Sequence, residues 1–511
     1  MAIADAANGS FTLGSAIPSG FGSFSPTFPR LAATGVAATA TGVVTTDALL
    51  YGETWGGVVT YSFPNRASDY ETGYAEALNG FAPVSFNQMQ AARYILEGAS
   101  PHAGGPKAAL TPVEGFTRAT IVDVGFNNAD IRIAQSRSAG ETAYAYLPST
   151  APSGGDVWFG RTYDYTRPEL GTYSFATMAH ELGHALGLKH AHEAGGLTGD
   201  TLPLTRDSLE YSVMTYHSYV PFASQKAPNV YTNETYGYPQ TYMMYDIAAL
   251  QSLYGADFGF RSGNTVYRWS PTTGETFVNG AGMGAPGGGK GGEANRIFLT
   301  IWDGGGVDTY DFSNYTSKVS VNLAPGAACA LAPGQRAYLG DGHDARANIF
   351  NALLYQEDPR SLIENAYGGS GNDSLKGNVA RNVLKGNAGN DVFFGMVGND
   401  VLYGGRGADA FVFSTALNAG TNVDRIVDFS VQDDTIKLAK SIFTAFTKAG
   451  PLASGAFHVG KAAHDRDDRI IYDSGTGALT YDRDGTGAAS PIKFAQLSSA
   501  LHIAAADFLV I

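Results

Sequence analysis

The sequence predicts an α+β fold, in which a mixed domain of strands and helices is followed by an all-β region. Apolar residues recur with helical spacing over 70–96 and 245–254, and short segments with the alternation of β-strands lie between them. From Gly255 onward the chain becomes glycine-rich and strand-like, and from Gly368 it repeats every nine residues. With 511 residues, 44% of them apolar, the chain is long enough for two or three domains with their own cores.

Composition limits the classes of function. The net charge of −14 disfavours nucleic acid as a partner, and acidic residues held in loops would suit Ca²⁺. Cys329 is the only cysteine, so no intrachain disulfide can form. The amino terminus lacks the basic and apolar segments of a Sec signal peptide, and no run of about 18 apolar residues predicts a membrane span.

The elements of the first half follow in order. Residues 1–45 are small, almost uncharged and without periodicity, which is typical of a leader or propeptide. Two helices are expected within 70–96, the second from about Ser85, because Gly and Pro interrupt the pattern at 80–83. Further strands and a last helix are predicted over 55–63, 119–125, 129–134, 142–147, 156–159 and 245–254.

One of these strands has two interpretations. Segment 142–147 could be an ordinary strand of the sheet, or it could be an edge strand that aligns an extended peptide through main-chain hydrogen bonds. The sequence alone does not separate the two.

The string His180-Glu-Leu-Gly-His-Ala-Leu-Gly-Leu-Lys-His190 carries the clearest chemical signal. If residues 177–186 form a helix, His180 and His184 lie on one face and can bind one Zn²⁺ through their imidazoles. Gly187 lets the chain leave the helix, so that a turn can return His190 as a third ligand. Three protein ligands leave a position open for water, as in catalytic zinc sites.

Glu181 lies beside these histidines and is placed to act on that water. Metal binding alone does not need a carboxylate at this position. Its presence therefore favours hydrolysis, with Glu181 as the general base.

Five unbroken nonapeptides begin at Gly368, with Gly at position one, Asp or Asn at position six and Leu or Phe at position eight. Glycine permits the tight turn, the carboxylate can bind a hard cation, and the apolar residue points into a narrow core. This is the pattern of the calcium-binding parallel β-roll of repeats-in-toxin (RTX) proteins. In the second repeat Ala380 and Asn382 replace Gly and Asp, so we expect a weak or missing ion there.

The histidine string resembles the zinc signature of the metzincin metallopeptidases. Their second signature is a tight turn containing methionine, and Ser212-Val-Met-Thr-Tyr216 fits it. The resemblance implies that Met214 forms an apolar floor beneath the histidines. It also implies that Tyr216 ligates resting zinc and then stabilises the oxyanion.

The order of zinc site, methionine turn, RTX array and apolar carboxy terminus resembles the serralysins, which are secreted alkaline metalloproteases of Gram-negative bacteria. The resemblance runs from about Leu49 to Ile511. After the leader over 1–45, we therefore expect a metzincin catalytic domain over 46–255 and an RTX β-roll domain over 256–430. A C-terminal β region over 431–511 would carry a type I secretion signal at its end.

The same resemblance assigns the calcium ligands. Residues 261–265 would share one calcium with 303–308, and Glu364 would share another with Asp373. The full expected set is Arg261, Gly263, Thr265, Asp303, Gly305, Asp308, Glu364, Gly369, Gly371, Asp373, Gly386, Asp391, Gly395, Asp400, Gly404 and Asp409. The chain departs from the family at Ala191 and His192, where Pro usually follows the third histidine, and over a longer segment at 334–362.

The predicted function is that of a secreted zinc-dependent endopeptidase, with zinc as catalytic metal and several structural Ca²⁺ ions. The alternative is a non-enzymatic RTX surface or matrix protein with a vestigial zinc site. An RTX lipase is disfavoured because the chain shows no Gly-x-Ser-x-Gly nucleophile elbow.

Expected partners are protein or peptide substrates and the type I secretion machinery. The resemblance leaves open a periplasmic proteinaceous inhibitor and association with the cell surface. We expect an extracellular monomer.

Overall fold

The computed structural model describes residues 35–97, 109–220 and 231–511. The predicted leader therefore lies outside the described residues as far as residue 34. Residues 35–37 of the predicted leader form a strand that pairs in antiparallel fashion with residues 53–55. The described elements of the first half are β1 (Gly35–Ala37), α1 (Val44–Asp47), β2 (Glu53–Trp55), β3 (Val58–Ser62), α2 (Ala75–Leu78), β4 (Ala82–Pro83), α3 (Phe86–Leu96), α4 (Val113–Phe116), β5 (Thr120–Asp123), β6 (Ile131–Gln135), β7 (Ala143–Ala145), β8 (Val157–Phe159), α5 (Tyr173–Ala185) and α6 (Met244–Tyr254).

The first half is built on one mixed sheet with the strand order β5-β3-β6-β8-β7, and β4 also pairs with β6. Strands β5, β3, β6 and β8 run parallel to one another. β7 is antiparallel to β8 and forms an edge of the sheet. The central strand β6 is almost entirely buried, as expected for a strand that is covered on both faces.

The helices begin and end at residues that satisfy their free backbone groups. Ser85 precedes α3 and exchanges hydrogen bonds with Gln88 in a capping box. The hydroxyl of Thr172 accepts from the N–H of Phe175 at the start of α5. Gly255 follows the last residue of α6 and has a φ of 77°, which is readily adopted only by glycine. The helices predicted after Ser85, at the histidine string and at the end of the first half are confirmed.

The second half is all-β, apart from single turns of 3₁₀-helix, so the predicted α+β class is confirmed. Its described strands are β9 (Val266–Trp269), β10 (Thr276–Val278), β11 (Ala281–Gly282), β12 (Leu299–Ile301), β13 (Thr309–Asp311), β14 (Ser320–Asn322), β15 (Ala328–Cys329), β16 (Tyr338–Gly340), β17 (His343–Asp344), β18 (Ile349–Asn351), β19 (Asn365–Tyr367), β20 (Ser374–Lys376), β21 (Val383–Lys385), β22 (Val392–Phe394), β23 (Val401–Tyr403), β24 (Ala410–Phe413), β25 (Asp424–Ile426), β26 (Thr435–Leu438), β27 (Gly450–Pro451), β28 (Phe457–Val459), β29 (Ile470–Asp473), β30 (Ala478–Tyr481), β31 (Ile492–Gln496) and β32 (Phe508–Val510).

The nonapeptides form a parallel β-roll. Odd-numbered strands from β19 to β25 lie in one sheet and even-numbered strands from β20 to β26 lie in the other. Asn365 pairs with Val383, 18 residues later, so one coil of the roll takes two nonapeptides. The residues at position eight are buried between the two sheets, namely Leu375, Leu384, Phe393, Leu402 and Phe411.

Strands after the repeats extend the same two sheets. β26 pairs in parallel with β24 and with β32, and β31 pairs in parallel with β25. The apolar tail is therefore the last strand of the roll, with Phe508 and Val510 buried.

The glycine-rich insert at 280–292 contacts the first half. The hydroxyl of Tyr94 donates to the carbonyl of Met283 at 2.9 Å, and the N–H of Gly287 donates to the carbonyl of Leu170 at 3.2 Å. These bonds join the insert to α3 and to the segment before α5.

Across the described ranges, none of the helices combines the length and apolar character that crossing a bilayer requires.

Candidate active site

Three imidazoles converge on one point beside the sheet. His180 and His184 project from the same face of α5, and their Nε2 atoms are 3.1 Å apart. The Nε2 atom of His190 lies 3.0 Å from that of His184 and 3.2 Å from that of His180. The structure thus brings together the three residues predicted from the sequence.

Backbone carbonyls determine which nitrogen of these rings carries the proton. Nδ1 of His180 is 2.7 Å from the carbonyl oxygen of Val213, and Nδ1 of His184 is 2.8 Å from that of Leu188. Because a carbonyl oxygen only accepts, each Nδ1 must donate. In the neutral ring each Nε2 then presents a lone pair, and burial lowers the pKa of both histidines, that of His184 to about 4.

Gly187 lets the chain turn back to His190. Its φ is 109°, which side chains rarely adopt, and a Cβ there would lie 2.6 Å from the carbonyl oxygen of Glu53. The Nδ1 atom of His190 lies 2.9 Å from Oε1 of Glu193.

The methionine turn lies beneath the histidines. Met214 is fully buried, and a Cβ at Gly183 would lie 2.6 Å from the Met214 sulfur. The second glycine of the histidine string therefore leaves space for this side chain. These contacts support the floor role that the resemblance implied.

Asp246 on α6 supports the site, and the sequence reasoning did not identify it. Its carboxylate accepts from the Ser212 hydroxyl at 2.6 Å and from the N–H groups of Val213 and Met243 at 2.7 and 2.9 Å. Burial raises the pKa of Asp246 to about 7. Since the carbonyl of Val213 orients His180, Asp246 links α6 to the metal-binding face of α5. Its position at N3 of α6 was the only signal in the sequence, and many helices carry an acid there.

Glu181 is buried next to the cluster. Burial raises its pKa to about 8, and its Oε2 atom has no hydrogen-bond partner among the residues that the structure describes. A buried carboxylate oxygen without a donor has an unmet need for a proton or for water. Together with His184, His190 and Tyr216 it lines a cleft of about 370 Å³.

Tyr216 directs its hydroxyl at the same point, since its oxygen lies 2.7 Å from Nε2 of His190. Burial, with Glu181 as the next cause, raises the pKa of this phenol, so it stays protonated in the metal-free site. It can therefore ligate a cation or donate a hydrogen bond to an oxygen held there.

The donor set fits Zn²⁺. Nitrogen ligands about 2.0–2.1 Å from a tetrahedral zinc stand about 3.3 Å apart, close to the 3.0–3.2 Å between the Nε2 atoms. The Nε2 lone pairs of His180 and His184 face each other at this point, and a bound cation would offset their repulsion.

Strand β7 forms the opposite wall of the cleft. Ala143, Tyr144, Ala145 and Leu147 line it. β7 pairs with β8 on one side only and is the edge strand of the sheet. The edge position is the one that a peptide-aligning strand needs, and an ordinary edge strand of the sheet would occupy it as well.

A second group of acidic residues lies where the two halves meet. The N–H of Thr265 donates to Oδ1 of Asp308 at 2.7 Å, which brings the loop 261–265 to the loop 303–308. Oδ2 of Asp308 is buried and, within the described ranges, has no hydrogen-bond partner. Burial and the neighbouring charge of Asp303 raise the pKa of Asp308 to about 9. A hard cation fits this oxygen-lined group.

The other residues expected at this place contribute in different ways. Arg261 directs its guanidinium to the carbonyls of residues 109–110, so only its backbone remains for a cation. The carbonyl of Gly263 accepts a threonine hydroxyl at 3.0 Å, and the N–H of Gly305 donates to Asp303 at 3.1 Å.

Glu364 does not meet Asp373, the residue with which it was expected to share a calcium. Its Oε2 atom accepts from the N–H of Asp308 at 2.7 Å, so it belongs to the group at the start of the second half. Asp373 lies in a loop on the other edge of the roll, where it accepts from the N–H groups of Val319 and Gly369. The reason is that consecutive loops of a β-roll alternate between its two edges.

Aspartates at repeat position six form ladders along the two edges. The N–H of Asp373 donates to Oδ1 of Asp391 at 2.7 Å, and the N–H of Asp391 donates to Oδ1 of Asp409 at 2.8 Å. On the other edge the N–H of Asn382 donates to Oδ1 of Asp400 at 2.7 Å. Within the described part, the Oδ2 atoms of Asp391, Asp400 and Asp409 are buried and have no hydrogen-bond partner.

These unpaired oxygens fit Ca²⁺. Burial raises the pKa of Asp391 to about 7 and that of Asp400 and Asp409 to about 6. A Cβ at the first glycine of a repeat would clash with the carboxylate of that repeat, at Gly386, Gly395 and Gly404. Gly371 lies against the backbone of residues 317–318, where a Cβ would also clash.

In the second repeat, the side-chain amide of Asn382 provides a hydrogen-bond donor. It donates to the carbonyl of Glu364 at 2.7 Å and to Oδ1 of Asn378 at 3.0 Å. This repeat therefore has a neutral hydrogen-bond donor where the third to fifth repeats have a carboxylate oxygen without a partner.

Asp424 and Asp434 continue the ladders, and the sequence reasoning missed them. They accept from the N–H groups of Asp400 and Asp409 at 3.2 and 2.9 Å. They lie 24 and 25 residues downstream rather than 18, so a search in steps of nine does not reach them. The signal that could have found them is the motif Asp-x-apolar, which repeats at Asp424–Ile426 and again at 434–436.

Comparisons with known proteins agree with this geometry. The family model described as Matrixin matches residues 116–211, and the model described as Peptidase M10 serralysin C terminal matches residues 256–332. The RTX calcium-binding nonapeptide repeat (4 copies) matches residues 363–379, 367–402 and 377–411.

Three proteins of similar sequence each match more than half of the chain. Metalloprotease AprA of Pseudomonas entomophila (strain L48) is 37% identical over 369 residues, which are 69% of this chain and 68% of that protein. Metallopeptidase AprA of Pseudomonas marginalis is 34% identical over 443 residues, 84% and 82% of the two chains. Serralysin B of Dickeya chrysanthemi is 31% identical over 324 residues, 62% and 58% of the two chains.

These matches favour the enzyme over the non-enzymatic RTX alternative, and they agree with catalytic zinc and structural calcium as the metals. The chain belongs to the serralysin family and is a zinc metalloendopeptidase of the secreted type, with RTX calcium-binding repeats.

Proposed function

We propose that His180, His184 and His190 hold the catalytic zinc, with Tyr216 as a further ligand in the resting enzyme, and that this site hydrolyses peptide bonds of extracellular proteins. The observation that carries the proposal is the convergence of three Nε2 atoms, 3.0–3.2 Å apart, beside a buried Glu181 oxygen that has no hydrogen-bond partner among the described residues.

The chain's own residues divide the chemistry between them. Bound zinc supplies Lewis acidity towards water and the substrate carbonyl. Glu181 accepts the proton of the attacking water and gives it to the leaving amine. The Tyr216 hydroxyl donates to the carbonyl oxygen as negative charge develops on it. The substrate lies against β7, whose open edge can pair with an extended peptide.

We also propose that the calcium ions occupy the acidic groups along the roll. One set comprises 261–265, 303–308 and Glu364, and the others lie between successive loops that carry Asp373, Asp391, Asp400 and Asp409. The unpaired buried oxygens of Asp308, Asp391, Asp400 and Asp409 support this assignment, and Asp424 and Asp434 extend it. The division of the chain into domains at residues 45, 255 and 430 belongs to the same proposal. The two sheets of the roll continue past residue 430, because β31 follows β25 in one sheet and β32 follows β26 in the other.

Replacing Glu181 by Gln should leave about one zinc per chain but lower kcat for a peptide substrate by several orders of magnitude, because the amide cannot take the proton of water. Zinc content by mass spectrometry and initial rates on a fluorogenic peptide measure the two effects. Glu169→Gln, at a carboxylate that pairs with Lys290 outside the cleft, is the control and should keep its activity. A Glu181→Gln enzyme within tenfold of the native rate would contradict the assignment.

Calcium removal should make the roll sensitive to pH. Because burial raises the pKa of Asp391, Asp400 and Asp409 from 3.8 to about 6–7, the calcium-free folded roll binds more protons than the unfolded chain. Its stability is then complete below about pH 4 and falls by at most about 3–4 kcal/mol per carboxylate as pH rises to about 7.

Thermal unfolding from pH 4 to 8 with a calcium-selective chelator measures this loss. The double variant Asp391→Asn, Asp409→Asn should show a shallower slope, and millimolar calcium should remove the loss. Equal stability at pH 4.5 and pH 7.5 in the chelator would contradict the prediction.

We propose further that the chain leaves the cell by type I secretion, led by its carboxy terminus. In the folded protein β32 is paired with β26 and β27, so the tail is accessible to a transporter only before the roll forms. Low cytosolic calcium keeps the roll open, and calcium outside drives its folding.

A passenger protein fused to residues 431–511 tests the signal. A strain with a type I exporter should release this fusion into the medium, and a fusion without 507–511 should stay in the cells. Equal retention of both fusions would disprove the signal.

A further inference from the structure

Strand β7 is short and is supported by the sheet on one side only. The carbonyl of Thr142 accepts from the N–H of Gly160 at 2.7 Å, and the N–H of Tyr146 donates to the carbonyl of Asp156 at 2.9 Å. Hydrogen bonds alternate along an antiparallel pair, so residues 143 and 145 direct their N–H and C=O groups to the open edge. A three-residue edge strand needs a further support to present these groups in a fixed orientation.

That support comes from one buried carboxylate. Tyr144 and Tyr146 lie two residues apart and therefore on the same face of the strand. The hydroxyls of both donate to Oε1 of Glu76, at 2.9 and 2.5 Å. Glu76 is only 8% exposed, and phenols that donate to a buried carboxylate form the stronger, charge-assisted class of hydrogen bond.

Glu76 is itself held to the centre of the sheet. Its carbonyl accepts from the hydroxyl of Ser136 at 2.8 Å, directly after the central strand β6. The neighbouring N–H of Arg137 donates to the carbonyl of Asn79 at 2.9 Å, which fixes the end of α2 to the same place. The carboxylate therefore connects the edge strand to a rigid, buried part of the domain.

We propose that Glu76 is a positioning residue for the substrate: through Tyr144 and Tyr146 it holds β7 in the orientation that pairs with an extended peptide. This inference rests on the proposed function, in which β7 aligns the substrate. Glu76 does not line the cleft, whereas Tyr144 does. It therefore acts on substrate binding and leaves the zinc and Glu181 untouched.

The test compares Glu76→Ala with Glu76→Gln on two peptides cleaved at the same bond. The long peptide spans the whole edge of β7, and the short one reaches only the residues next to the zinc. Glu76→Ala should raise KM for the long peptide about tenfold with kcat changed less than twofold, because uniform binding is lost. The short peptide should be affected less than threefold, and Glu76→Gln, which keeps an acceptor oxygen, should restore most of the affinity for the long one.

Further variants separate positioning from general stability. Tyr146 does not line the cleft, so Tyr146→Phe should raise KM for the long peptide by an intermediate factor even if Glu76→Ala fails to fold. Glu97→Ala removes another buried carboxylate, one that accepts from Asp123 on the far side of the sheet. It should lower the melting temperature without changing KM.

Unchanged KM in both Glu76→Ala and Tyr146→Phe, or an equal change for long and short peptides, would overturn the proposal. A native enzyme that cleaves neither peptide, or a Glu181→Gln enzyme that cleaves both, would instead contradict the proposed function itself. The two failures are thus distinguishable.

Discussion

Buried nitrogen and carboxylate oxygen atoms that converge on small volumes constrain both halves of this protein. In the first half the backbone carbonyls of Val213 and Leu188 keep the protons of His180 and His184 on Nδ1, so the Nε2 atoms must face one another. In the second half the ladders use one oxygen of Asp391, Asp400 and Asp409, and the other oxygen of each is buried without a hydrogen-bond partner among the described residues. Uncompensated groups of this kind cost several kcal/mol each, so metal binding and correct folding are linked in both places.

The zinc site depends on this constraint through its surroundings. Asp246 accepts from the N–H of Val213 in the methionine turn, and the carbonyl of Val213 orients His180. Gly183 leaves space for the Met214 sulfur. α6 therefore contributes to the metal site although none of its residues touches it. In the roll, the amide of Asn382 donates to the carbonyl of Glu364, so this position differs from those with an unpaired carboxylate oxygen.

Local spacing explains what could be predicted. The four-residue step between His180 and His184 needs only a helix, and the nine-residue step of the repeats needs only a regular coil, so the fold class and the candidate ligands followed from the sequence. Asp246 and Glu76 could not be found in this way, because their roles depend on elements that are distant in the chain and meet only in the fold. Asp424 was missed because it lies 24 residues after Asp400, which breaks the nine-residue step. The glycine-rich insert at 280–292 has no periodic pattern of its own, and its order comes from contacts with Tyr94 and Leu170.

Zinc K-edge X-ray absorption of the purified enzyme tests the central claim most directly. We predict three imidazole nitrogens at about 2.0–2.1 Å together with oxygen ligands, and the loss of one oxygen ligand in Tyr216→Phe. A zinc shell with two imidazoles or fewer would contradict the account, because the Nε2 atoms of His180, His184 and His190 would then not share one cation.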